Sequence, residues 1–527
     1  MVAPLTDQII VLVFFVSLFV LGAVILLRYK FMKKEKTFIA ADTMLAFYLV
    51  VGLLGTEMIH GFQTVGMPGL IYLFGIGAMW YFIAVASGFS IAAPVAWYIK
   101  KGAGVGKLTI PETVEVVLGP KVSGAVAIIF SIFCLLCPSF TAIIPATKVL
   151  PVFAGWSILD TMIIIAIVSV GYVVISGFWG AAWLGLFQLV LIYIGFAVAA
   201  FFAITAAGGW GAIVAAAPPT HWEMFPGPLG WEFVATFVLF FMPFTYAVAA
   251  STGRGMLAAK NPKHSFWGGI SSTLVYIPFM FLILLIGLSA VALFPLGTPQ
   301  ALADSELALS MVLMNTVPQN GLLGFTFIGP LAAMITTSAV MLFIGSTTLS
   351  HDIYKRFIRP NASDRELNWL ARVIMIIAAL ANIPLCYAYG LWITYALTTA
   401  YAVSIATCPA ALLGFFAKYT KVTPNGVFVG LIVGAVVGTL VSIYWPFWGV
   451  PIAYILTIAL SLGISWPIRY WWYPRKGLPT DYGLDKFKSL GQGKPTILRI
   501  LMVAFSPYIL MGEMAKRSLW KIVHRQT

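Results

Sequence analysis

Apolar stretches of about 20 residues recur along this chain from one end to the other, and that spacing leaves few folds open. A helix rising 1.5 Å per residue needs about 20 residues to cross a hydrocarbon layer roughly 30 Å thick. The first such stretch runs from about residue 8 to 27, ten more follow between about 45 and 416, and two more end near 468. Of the 527 residues, 61% are hydrophobic and 9% charged, with a mean hydropathy of +0.98. That is more apolar surface than a soluble core of this size could hide. The expectation is an all-α integral membrane protein with about 13 transmembrane helices.

Charge placement sets an orientation. The basic loop RYKFMKKEK after the first span, the Lys100, Lys101 and Lys107 loop, and the loops at 254–263 and 355–372 all fall on one side of a thirteen-span threading. Lysine and arginine mark cytoplasmic loops, so the N-terminus is expected outside and the C-terminus inside, in the plasma (inner) membrane. Lys148 is then the only basic residue outside. The net charge of +14 follows from this asymmetry and calls for no nucleic-acid partner. The first span lacks a basic n-region and a small-residue cleavage site, so it is expected to stay as an anchor. Cys134, Cys137, Cys386 and Cys408 sit in apolar spans, without the second pair and histidines of a zinc site. The expected layout is 1–40, anchor helix and cytoplasmic loop; 41–417, ten-helix core; 418–472, two further helices; 473–527, a basic tail whose apolar stretch at 497–511 is interfacial or re-entrant.

Two segments carry the chemistry. In residues 331–354, LAAMITTSAVMLFIGSTTLSHDIY, the Ala333 carbonyl and the hydroxyls of Thr336 and Thr337 share a helix face. Uncharged oxygens converging in this way suit a sodium ion. The alternative is that each threonine bonds back to the carbonyl four residues earlier, a common fate in membrane helices. In GTEMIHGFQTVGMPGLIY, Gly61, Gly66, Pro68 and Gly69 interrupt the second span, where freed backbone can bind a solute. Glu57 falls inside that broken helix. An acid at mid-bilayer is unfavourable by about 2.5–3.5 kcal/mol, so it should face a cavity and a partner, His60 being nearest. Glu57 either carries charge or a proton in the transport cycle, or forms a structural pair with His60.

Taken together, the Ala-Ala pair, two hydroxyl residues, small/hydroxyl cluster and closing Asp-Ile-Tyr-Lys of 332–355 resemble the signature helix of the sodium/solute symporter family. The resemblance covers roughly residues 8 to 470. It implies a leucine-transporter-type core of two inverted repeats of five helices, with the first and sixth core helices broken; the sixth, 231–251, carries Pro243. It also implies sodium ligation by Thr56, Ile59, Ala333, Thr336 and Thr337, the first two through their carbonyls. A small polar solute is expected near Glu57, His60, Gln63 and Tyr246, with Gln63 either touching it or capping unwound backbone. Phe62, Tyr72 and Phe244 are candidate gates, with core packing as the plain alternative. The fifth core helix, SGFWGAAWLGLFQ, keeps Gly177, Gly180, Trp183 and Gln188 in frame, but the family's aspartate aligns with Gly185 and its threonine with Leu184. The expected function is sodium-coupled symport with sodium as coupling ion and the bilayer as surroundings. Proton-coupled or uncoupled transport and a non-transporting sensor are the alternatives. An enzyme is disfavoured, because no nucleophile, base or metal cluster shows recognisable spacing.

Overall fold

The computed structural model describes residues 2–29, 33–241, 245–249 and 251–480; Pro243, Phe244 and the 497–511 stretch lie outside them. Helices make up the architecture, and among the described residues there is no strand. In chain order they are α1 (Leu5–Arg28), α2 (Glu35–Ala40), α3 (Phe47–Met58), α4 (Met67–Phe74) and α5 (Trp80–Lys101). Then come α6 (Ile110–Ala154), α7 (Ile158–Ala206), α8 (Gly230–Phe241), α9 (Thr252–Ala258) and α10 (Pro262–Leu293). The chain closes with α11 (Leu322–Ile358), α12 (Asp364–Ala388), α13 (Ile393–Phe415), α14 (Pro424–Tyr444) and α15 (Gly449–Arg475). Among the described residues, ten helices are long and apolar enough to cross a membrane.

Helix α7 has 49 residues, about 74 Å at 1.5 Å per residue, twice what a bilayer needs. Gly177, at φ 56° and ψ −157°, breaks it near the middle. That backbone conformation is open to glycine and strained for other residues. Helix α11 is the axis of the bundle. Through Leu322–Thr348 it has no polar face, and every residue of its most hydrophobic window is buried, as expected for a helix surrounded by others rather than by lipid.

Helices α14 and α15 pack through small residues. Gly426, Gly430, Gly434 and Gly438, one turn apart, face Ser465, Ser461, Thr457 and Ala453, and a Cβ on any of the four would fall within 2.0–2.4 Å of its partner. Close backbone approach of this kind is how helices associate where the surrounding lipid gives no hydrophobic drive. Helix α1 is tied in by Asp7, whose Oδ1 accepts the Gly321 and Gly324 amides (3.0 and 2.7 Å) at the start of α11. An acidic side chain at a helix N-terminus satisfies amides that lack an intrahelical partner.

Candidate functional site

The break in the first core helix is built from three local hydrogen bonds. Helix α3 ends at Met58, and the Ile59 backbone leaves helical values at φ −99°, ψ 88°. In an unbroken helix the His60 amide would bond the Thr56 carbonyl; here it donates to Gln63 Oε1 (2.9 Å). The Phe62 amide donates to His60 Nδ1 (3.3 Å). Downstream, the Thr64 amide donates to the His60 carbonyl (2.9 Å) and the helix resumes. Carbonyls at the end of α3 are thereby released from helical pairing. Glycine is required at 61 because a Cβ there would lie 2.3 Å from the Pro145 ring and 2.6 Å from the Thr141 carbonyl of α6.

Those released carbonyls meet the signature helix. Thr337 Oγ1, on α11, donates to the carbonyls of Thr56 (2.8 Å) and Glu57 (3.1 Å) and lies 3.3 Å from the Ala333 carbonyl. Four uncharged oxygens from two helices thus converge, a donor set of the type a sodium ion takes. Thr336 points elsewhere, donating to Gln188 Oε1 and to the Ala332 carbonyl. Ile59 is buried beside the group. The Glu57 carbonyl had not been singled out from the sequence. Gly185 accounts for the altered fifth helix: a Cβ there would fall 3.1 Å from Thr56 Oγ1 and 3.1 Å from the Gly52 carbonyl. Helices α3 and α7 approach closely, and the Thr56 side chain fills space that an aspartate at 185 would need.

Glu57 and His60 do not bond each other. Glu57 Oε1 accepts a hydrogen bond from Ser251, next to α9, while Glu57 Oε2 is buried without a hydrogen-bond partner. The carboxylate therefore bridges the two broken helices. Beside it lies a small cavity of about 40 Å³, bounded by Met58, His60, Phe140, Tyr246, Ser251 and Tyr401 among others. Of the expected solute contacts, His60 and Tyr246 line this cavity. Gln63 does not, since its amide nitrogen reaches Tyr81 Oη (2.8 Å) and Tyr276 Oη (3.4 Å). Helices α6 and α13 contribute Phe133, Thr141 and Tyr401, which the sequence offered no means to single out among many aromatic and hydroxyl residues.

Closure is visible on both faces of the site. On one face, Tyr72 Oη donates to the Phe294 carbonyl (2.8 Å) and accepts the Leu302 amide (3.2 Å), pinning the loop after α10 onto α4. Lys148 reaches Asp304 (2.6 Å) and Glu306 (3.4 Å), and Glu306 accepts the Ile393 amide (3.1 Å) at the start of α13. Phe62 packs edge-on against Tyr81 (5.0 Å) within an aromatic cluster; Phe244 lies outside the described residues. On the other face, Leu45 and Ala259 pair as an isolated bridge, joining the start of α3 to the end of α9. Arg254, fully buried on α9, donates to Thr347 Oγ1 and the Ile39 carbonyl, both at 2.9 Å. Glu35 meets His351 (2.7 Å) and Lys355 (2.5 Å). Burial pushes the Glu35 carboxyl up, but His351 and Lys355 outweigh it and hold it below its ordinary value.

The sodium:solute symporter family model matches residues 37–434, about three quarters of the chain. The chain belongs to the sodium:solute symporter family. This symporter is 24% identical over 456 residues to the sodium/proline symporter of Haemophilus influenzae, covering 80% of this chain and 86% of that one. It is 24% identical over 418 residues to the sodium/proline symporter of Escherichia coli, covering 75% and 79%. A solved sodium-coupled sialic acid symporter superposes with a TM-score of 0.71 at 15% identity, over 88% of this chain and 98% of that one. The fold is therefore the leucine-transporter-type core with broken first and sixth helices. The protein is a multi-pass membrane transporter that carries out sodium-coupled symport, with sodium as the coupling ion.

Proposed function

We propose that sodium binds where the first core helix breaks, on the carbonyls of Thr56, Ile59 and Ala333 and the hydroxyls of Thr336 and Thr337. A small polar organic solute occupies the adjoining cavity at His60 and Tyr246, with Glu57 behind them. Gln63 shapes the site by capping the His60 amide rather than by touching solute. The observation that carries this reading is the Thr337 hydroxyl lodged between the Thr56 and Glu57 carbonyls. Sodium would turn the Thr337 O–H away from these carbonyls, take its lone pair and draw the same oxygens inward, with Thr336 swinging from Gln188 to join them. Both helices would then be fixed around one ion. Alternating access follows as the outer contacts at Tyr72 and Lys148 and the inner contacts at Arg254 and Glu35 open in turn.

The threading in this proposal has thirteen crossings, with the N-terminus outside. Residues 1–40 form the anchor and loop, 41–417 the core, 418–472 two added helices and 473–527 a cytoplasmic tail. The Glu35, Arg254 and Lys355 contacts lie on the cytoplasmic face, and Lys148 on the outer face. The test is thermal unfolding of purified protein in sodium against potassium at matched ionic strength. A sodium-specific rise that Thr337→Ala abolishes supports the site. A second reading rests on the unpartnered Glu57 Oε2: Glu57 carries a proton through the cycle alongside sodium. Transport by Glu57→Gln with wild-type pH dependence would remove it.

A further inference from the structure

The cavity wall is rich in acceptors, its side-chain donors being His60 Nε2 and the Tyr246 and Tyr401 hydroxyls. Four of its hydroxyl groups have committed their protons: Thr141 to the Cys137 carbonyl (2.8 Å), Thr252 to the Tyr246 carbonyl (2.7 Å), Ser404 to the Tyr401 carbonyl (3.3 Å) and Ser251 to Glu57. Toward the cavity they can offer lone pairs. Because His60 Nδ1 accepts the Phe62 amide proton, the imidazole is neutral with its one proton on Nε2. Aromatic rings make up part of the wall: Tyr401 packs against Phe133 (6.0 Å) and edge-to-face against Phe140 (5.7 Å, 80°), and all three border the cavity. No lysine or arginine is among the described lining residues.

Two further observations point the same way. The His60 and Phe62 amides, exposed by the helix break, are already held by Gln63 and by the His60 ring. A solute carboxylate finds no ready donor in them. One hydroxyl behind the wall, Glu57 Oε2 is buried and without a hydrogen-bond partner, and no cationic side chain among the described residues pairs with that carboxylate.

We propose that the cavity selects a small organic cation, an alkylated ammonium group held against the aromatic wall and counter-charged by Glu57. Ring faces attract such groups through their quadrupoles, most strongly where water is excluded. A carboxylate buried in a low-dielectric site gains most from a cation close by. The proposal rests on the reading that this cavity is the solute site.

The test uses the full chain in sodium and compares three probes by thermal shift and by uptake into proteoliposomes: choline, its uncharged carbon isostere 3,3-dimethylbutan-1-ol, and proline. Choline should raise the unfolding midpoint, and the isostere and proline should not at the same concentration. Tyr401→Leu and Glu57→Gln should each weaken choline binding at least tenfold, while Tyr401→Leu keeps the sodium response. A response to proline or the isostere equal to that for choline overturns the cation assignment, as does no choline response in a protein that still answers to sodium. Because that panel runs on the wild type, a variant that fails to fold does not blunt it. Loss of the sodium response with choline binding intact would instead count against the sodium reading and leave the cation site standing.

Discussion

Replacing Thr337 by alanine removes one oxygen from the proposed sodium shell and leaves the helix otherwise intact. In the sodium-free protein the change deletes one hydroxyl that bonds the Thr56 and Glu57 carbonyls, a loss of about 1 kcal/mol. Against an ion the same oxygen is worth more: contacts to charged groups contribute roughly 1.5–3 kcal/mol, which weakens sodium binding about 10- to 150-fold. At sodium set to about 100 times the wild-type dissociation constant, binding stabilises the native state by about 2.7 kcal/mol. A variant weakened about 50-fold would retain only about 0.6 kcal/mol under the same law. The assay is a sodium titration of the unfolding midpoint with potassium as the balancing ion. The expected result is a curve displaced by one to two decades in sodium for Thr337→Ala and near wild type for Thr337→Ser, which keeps the hydroxyl. An alanine variant that follows the wild-type curve refutes the site, because the oxygen at 337 would then contribute nothing.

Other consequences are equally direct. Burial, opposed by Lys148 and reinforced by Asp304, raises the Glu306 carboxyl from 4.5 to about 7. If opening the outer face returns it to water, closing takes up a proton. The closed outer face then keeps its full advantage below pH about 4.5 and loses it as pH rises through about 7. Hydrogen exchange of residues 305–316, corrected for intrinsic rate, should be slower at pH 5.5 than at 7.5 and insensitive to pH in Glu306→Gln; faster exchange at pH 5.5 contradicts this. Asp7→Ala removes the acceptor for the Gly321 and Gly324 amides and should destabilise by about 3–6 kcal/mol, since bonds to a charged group contribute about 1.5–3 each; an unchanged unfolding midpoint would show that α1 does not brace α11. Gly434→Leu would drive side-chain atoms into Thr457 and the Ala453 carbonyl, so the α14–α15 pair should splay and the variant unfold at lower temperature, whereas leucine at lipid-facing Val436 should be neutral.

Much of this site can be read from local pattern. The helix break sits immediately before Gly61, where glycine permits the approach of Pro145 and Thr141. The signature hydroxyl at 337 reaches the Thr56 carbonyl, one of the two expected from the broken helix, and the Glu57 carbonyl beside it. Thr336 and Gln63 are different, because each has several partners within reach and packing chose among them: Gln188 for one, His60, Tyr81 and Tyr276 for the other. The four glycines of α14 take their meaning only from the small residues of α15 that lie against them. Gly185 is another such case, since its absent side chain becomes intelligible once Thr56 is seen opposite.

What the sequence alone determines is therefore the membrane, the helices and the points at which they fail. Apolar length against bilayer thickness settles the first two, and the backbone freedom of glycine and proline the third. Tertiary structure alone decides which oxygens face an ion, which side chains hold the freed amides and which carboxylate oxygen is left without a partner. Hydropathy is an average over a window, and phenylalanine, tyrosine and serine recur along the whole chain. Their roles emerge when α3, α6, α9, α11 and α13 meet around one cavity, because a hydroxyl proton taken by a backbone carbonyl cannot also be offered to a ligand.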